Sequence, residues 1–353
     1  MTAQEKDSGS QDTQGTDAMY RASWIDLLVR WIDRAPGRAG WVYAGGLVVL
    51  AIVGNAVFWV DGSLAPGQFD RVRLTEAVYV LFFPALYHHL KLVAGRSFRT
   101  FQPLLRRSKG DLAALEYRIT SLPQGLGWLA AALGVVLAVV SISTGAAAFG
   151  LDRARTAVPA AYQYATTSFA FAAVFAVVMQ TIRQLRLVSQ IHREAKDISL
   201  FQLEPVHAMA SLTARAGIGL ALFVLFNGIA ESAAITELNL AFLVAMALLA
   251  GVVFVAPLVG MRGRLRQEKA RMLGETSTAI QVTISRVHDR VNDDKYKDIS
   301  ELNTTLNALV VEKALIERIS IWPWDVSTVR GFASSVLLPI LLVVVARLLE
   351  NLV

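Results

Sequence analysis

The chain has 353 residues, of which 54% are hydrophobic and only 18% charged, with a formal net charge of +6 and no cysteine. Soluble chains carry about 25% charged residues, and the shortage here is concentrated in runs free of Asp, Glu, Lys and Arg: Ala39–Val60, Thr120–Leu151, Thr156–Ile182 and Leu238–Met261. About 20 apolar residues cross the ~30 Å hydrocarbon core as a helix. The composition therefore excludes a soluble enzyme, a porin-type barrel, a disulfide-framed domain and any thiolate metal site or cysteine nucleophile.

In chain order, residues 1–20 are polar and read as a disordered tail. Residues 21–37 form an interfacial amphipathic helix. Ser23 and Asp26 give it a capping-box-like start, Trp24, Leu27, Leu28 and Trp31 share one face, and Asp26, Arg30, Asp33 and Arg34 take the other. Residues 39–261 hold six transmembrane helices, at about 39–60, 74–94, 125–149, 159–182, 210–231 and 238–260. The basic stretch between the second and third carries Arg96, Arg99, Arg106, Arg107 and Lys109, which suit anionic lipid headgroups. In that stretch a short helix near Asp111 places Leu112, Leu115 and Ile119 on one side.

Residues 262–325 read as a cytoplasmic helical hairpin. Ile280, Ile284, Val287 and Val291 step by four, three and four, and Leu302, Leu306, Leu309 and Ile316 continue the pattern after a polar break. Two helices, about 264–291 and 299–320, follow from that spacing. Their apolar seam needs a partner, either the other arm or copies of the chain in a homo-oligomer. Residues 326–353 supply a final span, so the expected fold class is an all-α, polytopic membrane protein with seven transmembrane helices. Trp24, Trp31, Trp322 and Trp324 are the expected interfacial anchors.

Lys and Arg fix the orientation, with 29 on the side that includes the N-terminus and 5 on the other. By the positive-inside rule the N-terminus is cytoplasmic and the C-terminus outside, in the plasma (inner) membrane. The same rule accounts for the basic balance without nucleic acid. No HExxH, Walker loop, GxSxG, CxxC or GxGxxG occurs, which argues against an enzyme, and the sequence implies no cofactor and no metal site. Glu76, Glu231 and Glu237 stand at the outer ends of spans, with no acidic residue centred in one.

The candidates for a pore or solute path are polar or helix-breaking positions in otherwise apolar helices: Asn55, Asn227, Gly331, Ser334, Ser335 and Pro339. Pro339 has no N–H to offer the Ser335 carbonyl, which leaves a free acceptor beside two hydroxyls. Seven spans with helical mass before the last one resemble the layout of insect odorant receptors, a likeness of topology alone. The favoured expectation is a non-enzymatic oligomeric channel or sensor. The alternatives are a transporter of a neutral or hydrophobic solute, and a membrane scaffold or assembly protein.

Overall fold

The computed structural model describes residues 20–35, 38–105, 107–194, 204–230, 237–292, 299–319, 330–331 and 333–334. Among these the fold is helical, with no strand beyond an isolated bridge between Ala22 and Pro123. The helices are α1 (Trp24–Arg34), α2 (Ala39–Asp61), α3 (Arg71–Phe101), α4 (Lys109–Thr120), α5 (Gln124–Thr144), α6 (Ala157–Glu194), α7 (Glu204–Ala230), α8 (Glu237–Asn292) and α9 (Ile299–Arg318). Among the described residues five segments are long and apolar enough to cross a membrane: Ala39–Asp61, Arg71–Leu104, Gln124–Thr144, Ala157–Ile191 and His207–Asn227. In α8 the apolar stretch Val244–Val253 lies within the charge-free run Leu238–Met261. Trp322, Trp324, Ser335 and Pro339 lie outside the described residues.

Local chemistry sets the boundaries. Ser23 accepts from the Asp26 N–H to start α1, Asp70 from the Val72 N–H to start α3, and Ser108 from the Asp111 N–H to start α4. Gly62, at φ 74°, closes α2 in the left-handed region. The third span is shorter than the sequence implies. Helix α5 stops at Thr144, and Ala146–Phe149 and Leu151–Arg153 turn as two 3-10 helices about Gly150, at φ 68°.

Other helices overrun their spans. Helix α8 continues unbroken for 56 residues, about 84 Å at 1.5 Å per residue, so the sixth apolar stretch and the first hairpin arm are one rod. No glycine or proline acts as a stop after residue 261 in this helix. Pro257 lies inside it.

The core lies where α3, α5, α6 and α7 meet. Phe83, Tyr87, Leu90 and Phe98 of α3 pack with Ala173, Val174 and Val177 of α6 and with Met209, Leu212, Leu220 and Phe223 of α7. By contrast α2 and α5 present Val48, Val49, Ile52, Trp128, Val136 and Val139 outward, the surface that a bilayer rather than water would cover. Helix α1 departs from its expected faces. Ile25, Val29 and Ile32 are buried together with Asp26, whereas Leu27 and Trp31 are exposed. The helix has a second apolar stripe, and its protein-facing side is the one that carries the β-branched residues.

Gly134 sets the closest approach in the bundle. A Cβ there would stand 2.4 Å from the backbone N of Ala172 and 2.6 Å from its Cα. Gly134→Ala therefore forces α5 and α6 apart, and it is expected to lower stability by about 1–3 kcal/mol. Gly251→Ala, where a Cβ meets nothing within 4 Å, serves as the control. Thermal transitions of the two purified variants check the difference.

Candidate functional site

Two buried polar clusters stand at opposite ends of the bundle. The first begins in the opening turn of α3, where Asp70, Arg73 and Glu76 follow at i, i+3 and i+6 and so lie on adjoining turns of one face. Arg73 is 1% exposed and Glu76 is 7% exposed. The Arg73 guanidinium donates to Glu76 Oε2 at 3.1 Å, to the Phe149 carbonyl at 2.6 Å, and to the side-chain oxygen of Gln163. It also lies 4.2 Å over the Phe58 ring, and its Nε stands 3.8 Å from the Asp70 carboxylate.

Gln163 completes the circuit from α6. Its amide accepts from Arg73 and donates to Glu76 Oε1 at 3.1 Å and to Thr167 Oγ1 at 2.9 Å, and Thr166 donates to the same Glu76 oxygen. The pair is neutral in sum and nearly every polar atom is answered. Arg73 Nε is the exception, with no hydrogen-bond partner.

Nearby groups extend the cluster. Asn55 Oδ1 accepts from the Asp70 N–H at 2.8 Å, and its amide donates to the Ala51 carbonyl. The Asp61 carboxylate receives the backbone N–H groups of Arg155 and Thr156 at 2.8 and 2.7 Å. Helices α2, α3 and α6 and the turn before α6 are thus tied at one end by charges and amides.

At the opposite end Asp26 is the hub. Its carboxylate receives the Ser23 hydroxyl at 2.9 Å, the Leu122 N–H at 2.9 Å and Lys91 Nζ at 3.1 Å. The segments on either side are stitched by Ser23 N–H to Leu122 carbonyl and Gln124 N–H to Arg21 carbonyl. Gln180 and Gln184 of α6 both donate to the Ile119 carbonyl, at 3.0 and 2.9 Å. The Tyr20 hydroxyl donates to the Ser121 carbonyl at 2.6 Å, and Arg183 sits 4.6 Å over its ring. Burial pushes that hydroxyl up to about 12, against the opposing pull of Arg183.

The described pore and path candidates are Asn55, Asn227, Gly331 and Ser334. Asn55 belongs to the first cluster. Asn227 is buried on α7, where it accepts from the Tyr79 hydroxyl at 2.7 Å and donates to the Phe223 carbonyl at 2.9 Å. Each amide accepts from a neighbouring segment and donates to a carbonyl of its own helix. Gly331 and Ser334 are exposed, Ser334 donating to the Arg330 and Gly331 carbonyls of its own turn. Of the anchors, Trp31 is exposed, whereas Trp24 donates from its indole to the Gly127 carbonyl at 2.9 Å and meets the Phe169 ring at 5.7 Å.

The hairpin arms pack against each other, in a phase different from the expected seam. Thr276, Thr283 and Ile316 are buried, and Ile280, Val287, Leu302, Leu306 and Leu309 are half-buried, but Ile284 and Val291 are 38% and 43% exposed. Met246, Ala250 and Val253 mark the buried side of α8 further back, and Leu265, Thr276 and Thr283 mark it towards and within the hairpin, roughly a third of a turn round the helix at 3.6 residues per turn. The Thr276 hydroxyl donates to Glu312 at 3.3 Å, and Lys269 donates to the Glu317 and Ile319 carbonyls at 2.8 Å each, a cation at the C-terminal end of α9. Beside it, the Arg271 hydrogen bond holds the Glu268 carboxyl below its usual range.

Arg73 and Glu76 escaped the sequence reading because a charged residue near a span end looks like loop or snorkelling charge. The available signal was the i, i+3 pairing of opposite charges directly before an apolar run, together with a glutamine at 163 inside another apolar run. Among the described residues no group of three His, Cys, Asp or Glu side chains is placed to hold a metal ion. No family model, no curated protein and no solved structure matches the chain.

Removing one member of a buried pair strands the other, at a cost of about 3–5 kcal/mol, whereas replacing both with apolar groups costs far less. Arg73→Met and Glu76→Leu should each lower the thermal transition markedly. Arg73→Met with Glu76→Leu should recover much of the loss, a coupling read from a double-mutant cycle.

Proposed function

We propose that this chain is a non-enzymatic membrane protein that assembles with copies of itself through the α8–α9 hairpin and acts as a channel or sensor. The observation that carries this reading is the outer surface of the hairpin. Ile284 and Val291 on one side of α8 and Val311 and Leu315 on one side of α9 are 38–58% exposed. The two on α8 lie beyond its apolar stretch: the charge-free run ends at Met261, and Ile284 and Val291 stand 23 and 30 residues further on, about 35 and 45 Å of helix. A bilayer does not cover that length, so an apolar ridge there calls for protein, and a copy of the same hairpin offers a matching one. The apolar run after residue 330 follows the hairpin in sequence, which makes the last span the natural recipient of any movement in the assembly.

The topology that goes with this reading has seven spans. The N-terminus and the hairpin lie in the cytoplasm, the Asp61 end and the C-terminus lie outside, and the plasma membrane is the location. The uneven division of Lys and Arg supports it. The partners are the lipid bilayer, with anionic lipid at the basic cytoplasmic side, and further copies of the chain.

Val311→Asp with Leu315→Asp puts charge on exposed positions, so folding should be retained while assembly is lost. Light scattering in detergent should show a particle of several copies for the native chain and one copy for the variant, and planar-bilayer currents should disappear with the assembly. An unchanged particle mass overturns the hairpin as the assembly surface. Because the chain has no cysteine, single substitutions report topology directly. Ala65→Cys should react with an impermeant maleimide on intact cells and Gln281→Cys should not, and the reverse pattern inverts the orientation.

A further inference from the structure

The cations along the inner half of α3 fall into two groups. Lys91 is answered by Asp26 at 3.1 Å, His88 faces Asp33 at 3.0 Å, and Arg99 meets Glu116 at 2.9 Å. His89 and Arg96, both exposed, have no acidic partner among the described residues. They are seven positions apart and so stand on one face of α3, two turns from each other.

The antiparallel register of α3 and α7 brings a second guanidinium to them. The Tyr79 hydroxyl meets Asn227, a Cβ on Gly219 would touch Leu86, and the Ser97 hydroxyl donates to the Ala208 carbonyl at 2.7 Å. On that register Arg215 is level with the His89 turn. It too is exposed and without an acidic partner among the described residues. Arg215 and Arg96 are also the first charges after burial to act on the His89 ring, which places all three in one electrostatic neighbourhood.

Their depth selects the ligand. Trp59 and Phe69, in edge contact at 5.3 Å, lie with the Arg73 turn at one bilayer surface. Twenty residues further along α3, about 30 Å, is the turn at 91–94, between His89 and Arg96. Two guanidinium groups and an imidazole at that level, on the exposed side where two membrane helices meet, suit an anion that resides at the bilayer surface. Leu222, 43% exposed and two turns deeper on the same face of α7 as Arg215, offers an apolar wall where an acyl chain would run.

We propose that His89, Arg96 and Arg215 form a binding site for the phosphate of an anionic phospholipid, seated in the surface groove between α3 and α7. Two guanidinium groups supply forked donors to phosphate oxygens, and the imidazole supplies a further donor. The assignment rests on the helices crossing a bilayer and is independent of the proposed assembly.

The test uses the full chain in nanodiscs of phosphatidylcholine alone or with phosphatidylglycerol, followed by native mass spectrometry after detergent exchange. The native chain should retain one phosphatidylglycerol in preference to phosphatidylcholine, and its thermal transition should rise in the anionic discs. Arg96→Gln with Arg215→Gln should weaken that retention by about 30-fold, the factor two cations contribute at a membrane surface. Arg99→Gln, which breaks a pair with Glu116, should leave it unchanged. If the double variant fails to fold, the native chain still decides, since equal transitions in the two disc types overturn the proposal. Equal lipid retention by native and double-variant chains also overturns it. Displacement of the lipid by millimolar inorganic phosphate assigns the site to a free phosphate instead, and overturns the lipid source. A chain that enters no disc refutes the membrane reading itself, a separate outcome from either.

Discussion

An arginine removed from water inside an apolar helix bundle has to be met by acceptors, and the acceptors for Arg73 come from three other parts of the chain. Glu76 supplies one from the next turn, Gln163 one from α6, and Phe149 one from the 3-10 turn that follows α5, while Phe58 of α2 offers its ring face. The desolvation of an unanswered buried charge costs several kcal/mol. Shifting α2, α6 or the 146–149 turn away from α3 would expose the chain to that cost. A single side chain therefore fixes the relative position of three spans, α2, α3 and α6, and of the turn that leads from α5 into α6. The apolar contacts between those helices are less directional and could be satisfied in several registers; the ionic network selects one.

The opposite end is held by the same principle with the sign reversed. There the buried charge is the carboxylate of Asp26, and its donors come from Ser23, Leu122 and Lys91. Helix α1 is consequently part of the folded bundle rather than a loose float on the surface, with Leu27 and Trp31 left exposed as a lipid- or partner-facing stripe. Between these two polar ends the core is built from apolar side chains and close backbone approaches such as Gly134 against Ala172. Helix α8 runs from the bundle into the hairpin as one continuous helix.

Much of the architecture was legible in the sequence because it depends on local rules. Charge-free runs give apolar helices, and Ser23 is a helix start where the sequence indicated one. The three-four spacing marks the two hairpin arms but leaves open whether each meets the other or a copy. What depends on tertiary context was not legible. The short helix α4 starts at Ser108, one turn before the expected Asp111. Arg73 resembled a loop charge until α6 placed Gln163 beside it. Ile284 and Val291 fitted a seam drawn from spacing alone, but the side of α8 that is buried in the hairpin runs through Thr276 and Thr283. Asn55 and Asn227 looked like path-lining polar groups, and each bonds once across to a neighbouring segment and once to its own helix. Periodicity states which residues share a face; it does not state which face the rest of the fold will use.

Hydrogen–deuterium exchange on the native chain and on Arg73→Gln, in the same detergent and at the same pH, tests most directly whether the Arg73 network holds its end of the bundle together. The account predicts faster exchange in Arg73→Gln confined to residues 54–61, 145–156 and the first turns of α6, with the segments around Asp26, Leu122 and the hairpin unchanged. Equal exchange in the 145–156 segment of the two proteins would contradict it, because that turn would then be held without the arginine.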